Sequence, residues 1–309
     1  MDPIKFGQDL ARKAELVHSL GSLDFAWPDL RGQSLVFTGM GSSTFASEAI
    51  TTMLQAAGLA ATTSLASNPT PPLPDAQKTL IAISASGTSK ETIAALDLAT
   101  GYREKLIFTN SDLPFQNKVS IGAGFESGGV ASLTYTATII GLLRLSEQLG
   151  AIDNLTALID RAADAIEHIT STQNDWLDSY LDLSLSGSGT HFVAPQNRLC
   201  SAQQSALMLR EGPRLPAVAC ETGDWSHIDV YLTKVQDYRL VLFPGSTWED
   251  QLFQWTNERK STVITMGFDH PHAAASFRYT NDDEWVVRLL AETSFSELAS
   301  QRLWQTQQN

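Results

Sequence analysis

The chain has 309 residues, 43% of them hydrophobic and 18% charged, which is enough apolar material for two globular cores of ordinary size. A formal net charge of −13 argues against nucleic acid or an anionic membrane surface as a partner, so an anionic ligand must be held by local donors against the overall field. Cys200 and Cys220 give no disulfide framework, no apolar run reaches the length of a membrane span, and the polar start MDPIKFGQDLARKAEL has no signal-peptide core; a cytoplasmic protein is expected.

In chain order, Ile4, Leu10, Ala14, Val17 and Leu20 form a rough helical stripe. Ser34–Thr38 reads as a buried strand entering Gly39-Met40-Gly41-Ser42-Ser43, with a helix to about residue 57 and a strand over 61–66. Asn68 to Pro74 is a proline-rich loop. Leu80–Ser84 is the next strand, followed by Ala85-Ser86-Gly87-Thr88-Ser89 and a helix to about residue 99. Lys105–Thr109 is a further strand, and residues 130–149 form an apolar helix. Residues 151–179 are helical without a strand. Leu181–Leu185 then reads as a strand ending in Ser186-Gly187-Ser188-Gly189, with a long helix through Arg210. Arg239–Phe243 is a strand entering Pro244-Gly245-Ser246-Thr247-Trp248-Glu249-Asp250 and another helix, and Ser261–Met266 is one more strand.

Strands alternating with helices predict parallel sheets covered on both faces. The loops at 83–92 and 242–250 look like degenerate copies of one unit, so the chain reads as an internal duplication. The expected fold class is α/β, with two flavodoxin-like domains, each a parallel β-sheet flanked by helices. Their expected bounds are residues 1–150 and 180–309, joined by a helical connector at 151–179.

The loop at 84–89 carries the clearest chemistry. A strand, a turn with Ser84, Ser86, Thr88 and Ser89, and then a helix form a phosphate site without relying on charge: backbone N–H groups and hydroxyls donate, and the helix dipole favours an anion. Gly87 lets the backbone approach closely. Serine and threonine also cap helices, but four hydroxyls in six residues exceed what capping needs. Gly39-Met40-Gly41-Ser42-Ser43 occupies the same kind of position after an earlier strand. It lacks the third glycine of a dinucleotide fingerprint, and neither loop has the Gly-Lys-Ser/Thr of a P-loop, so a small phosphate ester is expected rather than a nucleotide.

Together these loops resemble those of the SIS (sugar isomerase) family, which carries Gly-x-Gly-Ser, then Ser-x-Ser-Gly-x-Thr, then Gly-x-x-x-Ala-Ser before a helix. They stand here at 39–43, 84–89 and Gly128-Gly129-Val130-Ala131-Ser132, in order, with Ser89 where threonine is usual. The resemblance implies sugar-phosphate binding by Gly41, Ser42, Ser43, Ser84, Ala85, Ser86, Gly87, Thr88, Ser89, Val130 and Ser132.

The second half is similar to the second SIS domain of the isomerase part of glucosamine-6-phosphate synthases. Ala206-Leu207-Met208-Leu209-Arg210-Glu211 parallels that family's Ala-Leu-Lys-x-Lys-Glu, and His227 follows Glu211 by sixteen residues, the family spacing. The resemblance implies Glu211 as the base moving a proton between C1 and C2, His227 as the ring-opening group, a homodimer as the active unit, and neither metal nor cofactor. A single carboxylate that takes and returns a proton on one face suits aldose–ketose isomerisation.

Met208 replaces the family lysine, the C-terminal Pro-Arg-x-Leu-x-Lys segment is missing, and with no cysteine near Met1 ammonia transfer from glutamine is not expected. Isomerisation, deamination or deglycation of a phosphosugar, and binding without turnover all remain open. His168, His191, His270 and His272 show no metal-ligand spacing, the seven tryptophans read as packing residues, and Asp282-Asp283 reads as a solvated turn.

Overall fold

A computed structural model describes residues 1–70, 72–235 and 237–308; Pro71 of the proline-rich loop lies outside the described residues. The chain begins with α1 (Pro3–Ala11) and α2 (Lys13–Leu20), then β1 (Ser34–Gly39), α3 (Ser42–Ala56), β2 (Ala61–Leu65) and β3 (Lys78–Ser84). It continues through α4 (Lys90–Leu98), β4 (Glu104–Thr109), β5 (Lys118–Ser120), α5 (Leu133–Gln148), α6 (Leu155–Ser171) and α7 (Gln173–Ser184). The remainder is β6 (Thr190–Ala194), α8 (Leu199–Glu211), β7 (Ala217–Glu221), α9 (Thr222–Trp225), β8 (Arg239–Leu242), α10 (Glu249–Glu258), β9 (Thr262–Met266), β10 (Ala275–Phe277), α11 (Trp285–Ala291) and α12 (Thr293–Gln307).

Two all-parallel five-stranded sheets result, ordered β2-β1-β3-β4-β5 and β10-β9-β8-β6-β7. The second order reverses to β7-β6-β8-β9-β10, so both sheets have one topology. Contacts divide the chain into two compact units. One holds Leu16–Glu126 and Ala131–Ala157, with the first sheet; the other holds Met1–Glu15, Ser127–Val130 and Leu158–Asn309, with the second. Among the described residues, no helix is long and apolar enough to cross a membrane.

In the first sheet the central strands are buried on both faces, from Leu35, Val36 and Phe37 of β1 to Leu80–Ile83 of β3, as expected of parallel strands covered by crossovers. Helices α3 and α5 pack together, with Gly141 of α5 fitted against Phe25 and Phe108. In the second sheet Val193, Leu240, Leu242 and Val263 form a core with Trp225 and with Leu252 and Phe253 of α10.

One expected strand is a helix. Leu181, Leu183 and Leu185 alternate as a strand would, yet α7 runs to Ser184, because Trp176, Leu177, Tyr180 and Ser184 recur at the helical spacing and are the residues that become buried. The strand is instead Thr190–Ala194, so Ser186–Gly189 precedes it and is no loop at a strand's carboxyl end. Asp282 is likewise no solvated turn residue: it is 5% exposed and takes two hydrogen bonds from Arg278, at 2.6 and 2.8 Å. The strands β5, β7 and β10 and the helices α11 and α12 are additions to the sequence reading.

Candidate functional site

In the first sheet β1 connects outward to β2, while β3 connects in the opposite direction to β4. Such a reversal opens a crevice at the carboxyl ends of the two central strands, where ligands collect in sheets of this kind. The loops at that crevice are 39–43 and 84–89, the two singled out from the sequence.

Ser86 and Thr88 are exposed, and their hydroxyls lie 2.8 Å apart in a shared hydrogen bond. Ser84 is buried; its hydroxyl accepts from Gly87 N–H at 3.1 Å and holds the turn closed. Gly87 has φ +66°, and a Cβ there would fall 2.8 Å from Cβ of Ser111, so both backbone and neighbour demand glycine. Ser89 caps α4, accepting from Thr92 N–H at 3.4 Å while donating to Glu91 at 3.1 Å. Ser89 thus serves the capping role, and Ser86 and Thr88 face solvent. Ala85 is half-buried; its carbonyl accepts from Asn110 N–H at 3.2 Å. Gly41, exposed at φ +54°, opens α3, and Ser42 and Ser43 are half-buried in its first turn.

The third motif does a different job. Val130 and Ser132 are 1% and 0% exposed. The N–H groups of Ser132 and Leu133, at the start of α5, donate to one oxygen of Glu126 at 2.8 and 2.6 Å, and the Thr134 hydroxyl donates to the other. A carboxylate therefore sits on the helix N-terminus, and burial holds the Glu126 carboxyl above its ordinary pKa. Gly128 packs under α1: a Cβ there would lie 2.5 Å from Cα of Phe6. Its N–H donates to buried Asp9 at 2.7 Å. The loss of any side chain at Gly128 is thus explained by the passage of α1.

In the second sheet Glu211 is the last residue of α8, half-buried, beside the start of β7, where Arg210 Nε donates to the Ala217 carbonyl at 2.6 Å. Met208 is wholly buried, with its carbonyl accepting from Ser300. His227 is exposed on the turn after α9, its N–H bonded to the Asp224 carbonyl at 2.8 Å. The crossover from β6 to β7 through α8 and the return from β7 to β8 through α9 run in opposite directions. Right-handed crossovers place such connections on opposite faces. Trp225 of α9 indeed packs with Val193 and Cys220, in a cluster without any α8 residue. The sheet therefore stands between Glu211 and His227, and one chain does not bring them together.

The partners of several side chains were not legible from the sequence, where His191 stood only as a histidine without metal-ligand spacing. His191 is a buried strand residue whose Nδ1 lies 3.0 Å from Asp229 Oδ2. Asp229 also accepts from the Tyr238 hydroxyl at 3.2 Å, and that hydroxyl accepts from Trp225 Nε1 at 2.8 Å. This network anchors the segment carrying His227. Burial and the carboxylates of Asp229, Asp224 and Glu221 push the nearby Cys220 thiol up to about 12. At the crevice of the second sheet, Arg198 follows β6 and is 1% exposed, ion-paired with buried Glu292 at 2.5 Å. A Cβ on Gly245, after β8, would lie 3.3 Å from its guanidinium. Glu249 closes the loop after β8, accepting from the N–H groups of Gly245 and Ser246 at 2.5 and 2.8 Å. Among the described residues, no three histidine, cysteine or acidic side chains are grouped to hold a metal.

No family model and no curated relative matches the sequence. Solved structures do match. The C-terminal domain of glucosamine-fructose-6-phosphate aminotransferase from Francisella tularensis superposes with TM-score 0.75 at 13% identity, over 97% of this chain and 96% of that one. Tagatose-6-phosphate ketose/aldose isomerase from Escherichia coli gives TM-score 0.75 at 17% identity, over 100% and 91%. Glucosamine-6-phosphate deaminase from Thermotoga maritima gives 0.71 at 15% identity, over 98% and 95%. The likeness is one of fold: this chain adopts the two-sheet α/β architecture of those phosphosugar enzymes, the architecture its motifs imply.

Proposed function

We propose that the chain is a tandem SIS protein that holds a sugar phosphate on the loop at 84–89 and isomerises it between aldose and ketose. The observation that carries this reading is the coincidence of two glycine–hydroxyl loops with the topological switch point of the first sheet. Exposed Ser86 and Thr88 and the α4 N-terminus offer donors to a phosphate, and the 39–43 loop borders the same crevice. Glu211 is the proposed base and His227 the proposed ring-opening group, with no cofactor or metal taking part.

The separation of Glu211 from His227 by their own sheet supports a homodimer in which His227 serves the neighbouring subunit. Glu211→Gln and His227→Ala, each expected to be inactive alone, test this after subunit exchange. A shared site restores about a quarter of wild-type activity in a statistical mixture, since half the dimers then have one intact site of two. No recovery in a mixture with confirmed exchange sinks the shared site. Proton exchange at C2 of a bound hexose 6-phosphate, followed by NMR in deuterated water, reports the isomerase step itself, and Glu211→Gln should lose it.

A second reading, sugar-phosphate binding without turnover, is favoured by Met208. The position that carries a lysine in the isomerase pattern is an apolar side chain sealed in the core. Absence of C2 exchange in the wild-type protein, with ligand binding intact, selects this reading.

A further inference from the structure

The two sheets share a strand order but differ in the crossover that covers one face. In the second sheet the β7-to-β8 connection carries α9, and Trp225, 0% exposed, fills the volume over β6 and β8 beside Leu252 and Phe253 of α10. In the first sheet the corresponding β2-to-β3 connection, described at residues 66–70 and 72–77, has no helix or strand. The helix corresponding to α10 is α4, of which only Thr92 is fully buried and which offers Ala94 and Ala95 where α10 offers Leu252 and Phe253. The apolar cluster on this face shrinks to Val36, Leu80 and Ala99, with Leu96 and Tyr102 against it. What is left is a cavity of about 590 Å³, walled by Val36, Thr38, Leu80, Ala95 and Tyr102 and bordered by Asn68, Pro69 and Pro72 of the loop after β2. The Tyr102 hydroxyl donates to the Pro72 carbonyl at 2.6 Å and ties that loop down.

We propose that this cavity is a binding site for a neutral, ring-sized apolar group, of the size class of the indole that occupies the corresponding volume of the second sheet. Its volume falls within the roughly 300–1,000 Å³ of small-molecule sites, and its walls are mainly apolar. Its one charged lining residue among those described is Glu91, so an anion is repelled and a second sugar phosphate is the wrong occupant. Filling it covers apolar surface of Leu65 and Leu98, lining residues that are 50% and 79% exposed, and burying such surface is the driving force that Trp225 supplies internally in the other sheet. The site flanks α4, whose N-terminus bears the 84–89 loop, but it is a distinct site, and the proposal stands whether or not that loop takes a phosphosugar.

Titration of the isotope-labelled full chain with indole, read by backbone amide NMR, tests it. The expected result is saturable shifts confined to β1, β3, α4 and the 66–77 loop, lost in Ala95→Phe, whose ring fills the cavity from within, and lost likewise in Ala94→Trp should the first variant not fold. Ser86→Ala with Thr88→Ala, which removes the exposed loop hydroxyls and leaves the α4 cap intact, should bind indole as wild type does, so that failure of the phosphate reading leaves this result untouched. No saturable shift up to the solubility limit of indole, or shifts that survive the filling substitutions, overturns the proposal.

Discussion

The two sheets have the same strand order and end in opposite conditions at the crevice between their central strands. In the first, the crevice loops present glycine and hydroxyl groups, with Ser86 and Thr88 exposed and bonded only to each other and the turn. In the second, the corresponding position is filled from within: Arg198 is buried against Glu292, and the Glu249 carboxylate occupies the turn that would otherwise offer N–H groups to an anion. Topology thus supplies a crevice twice, and side-chain chemistry decides which one stays open.

The largest expected effect breaks the open crevice. Ser86→Ala with Thr88→Ala removes two hydrogen bonds to a charged acceptor, together about 3–6 kcal/mol of sugar-phosphate binding, which calorimetric titration with hexose 6-phosphates reads directly. Both hydroxyls are exposed and bonded to each other, so affinity and not melting temperature is the deciding quantity. Unchanged affinity in the double variant removes the loop from the site.

The filled crevice should fail differently. Glu292→Gln leaves the Arg198 guanidinium buried without its counter-charge, at a cost of about 3–5 kcal/mol in urea unfolding. Arg198→Met with Glu292→Leu, which replaces the pair by apolar groups, should recover most of that loss. If the single and double variants are equally destabilised, the pair is not what seals the second crevice.

The smallest effect concerns a carboxylate on a helix end in the first sheet. Burial raises the Glu126 carboxyl pKa in the folded state, so folding holds this proton more tightly than the unfolded chain does. The stability it contributes is complete below the unfolded value, near about pH 4.3, and is lost as pH rises through the folded value. Wild-type stability measured relative to Glu126→Gln should therefore grow as pH falls from about 7 to about 4. A difference that stays flat, or shrinks, means that hydrogen bonds to Ser132, Leu133 and Thr134 outweigh burial.

Much of the first crevice was legible because its information is local. Ser84 through Ser89 carry hydroxyls, a glycine and a helix start within six residues, and no distant partner is needed to read them. Leu181–Leu185 misled for the same reason: five residues alternate like a strand, and only the wider spacing of Trp176, Leu177 and Tyr180 shows which face is buried. The short strand β7, with Ala217, Ala219 and Cys220, has too little β-branched or bulky character to declare itself, and it forms because β6 lies beside it.

By itself the sequence determined the alternation of strand and helix, the parallel sheets and the hydroxyl-rich turn at 84–89, since each depends on neighbours a few residues apart. Tertiary structure alone decided the rest. Arg198 meets Glu292 and His191 meets Asp229 across long stretches of chain, Gly128 is required by a helix more than a hundred residues earlier, and Glu211 and His227, sixteen residues apart, are parted by a sheet. Burial and charge pairing act through space, and a strand order with right-handed crossovers is what converts distance along the chain into proximity or its opposite.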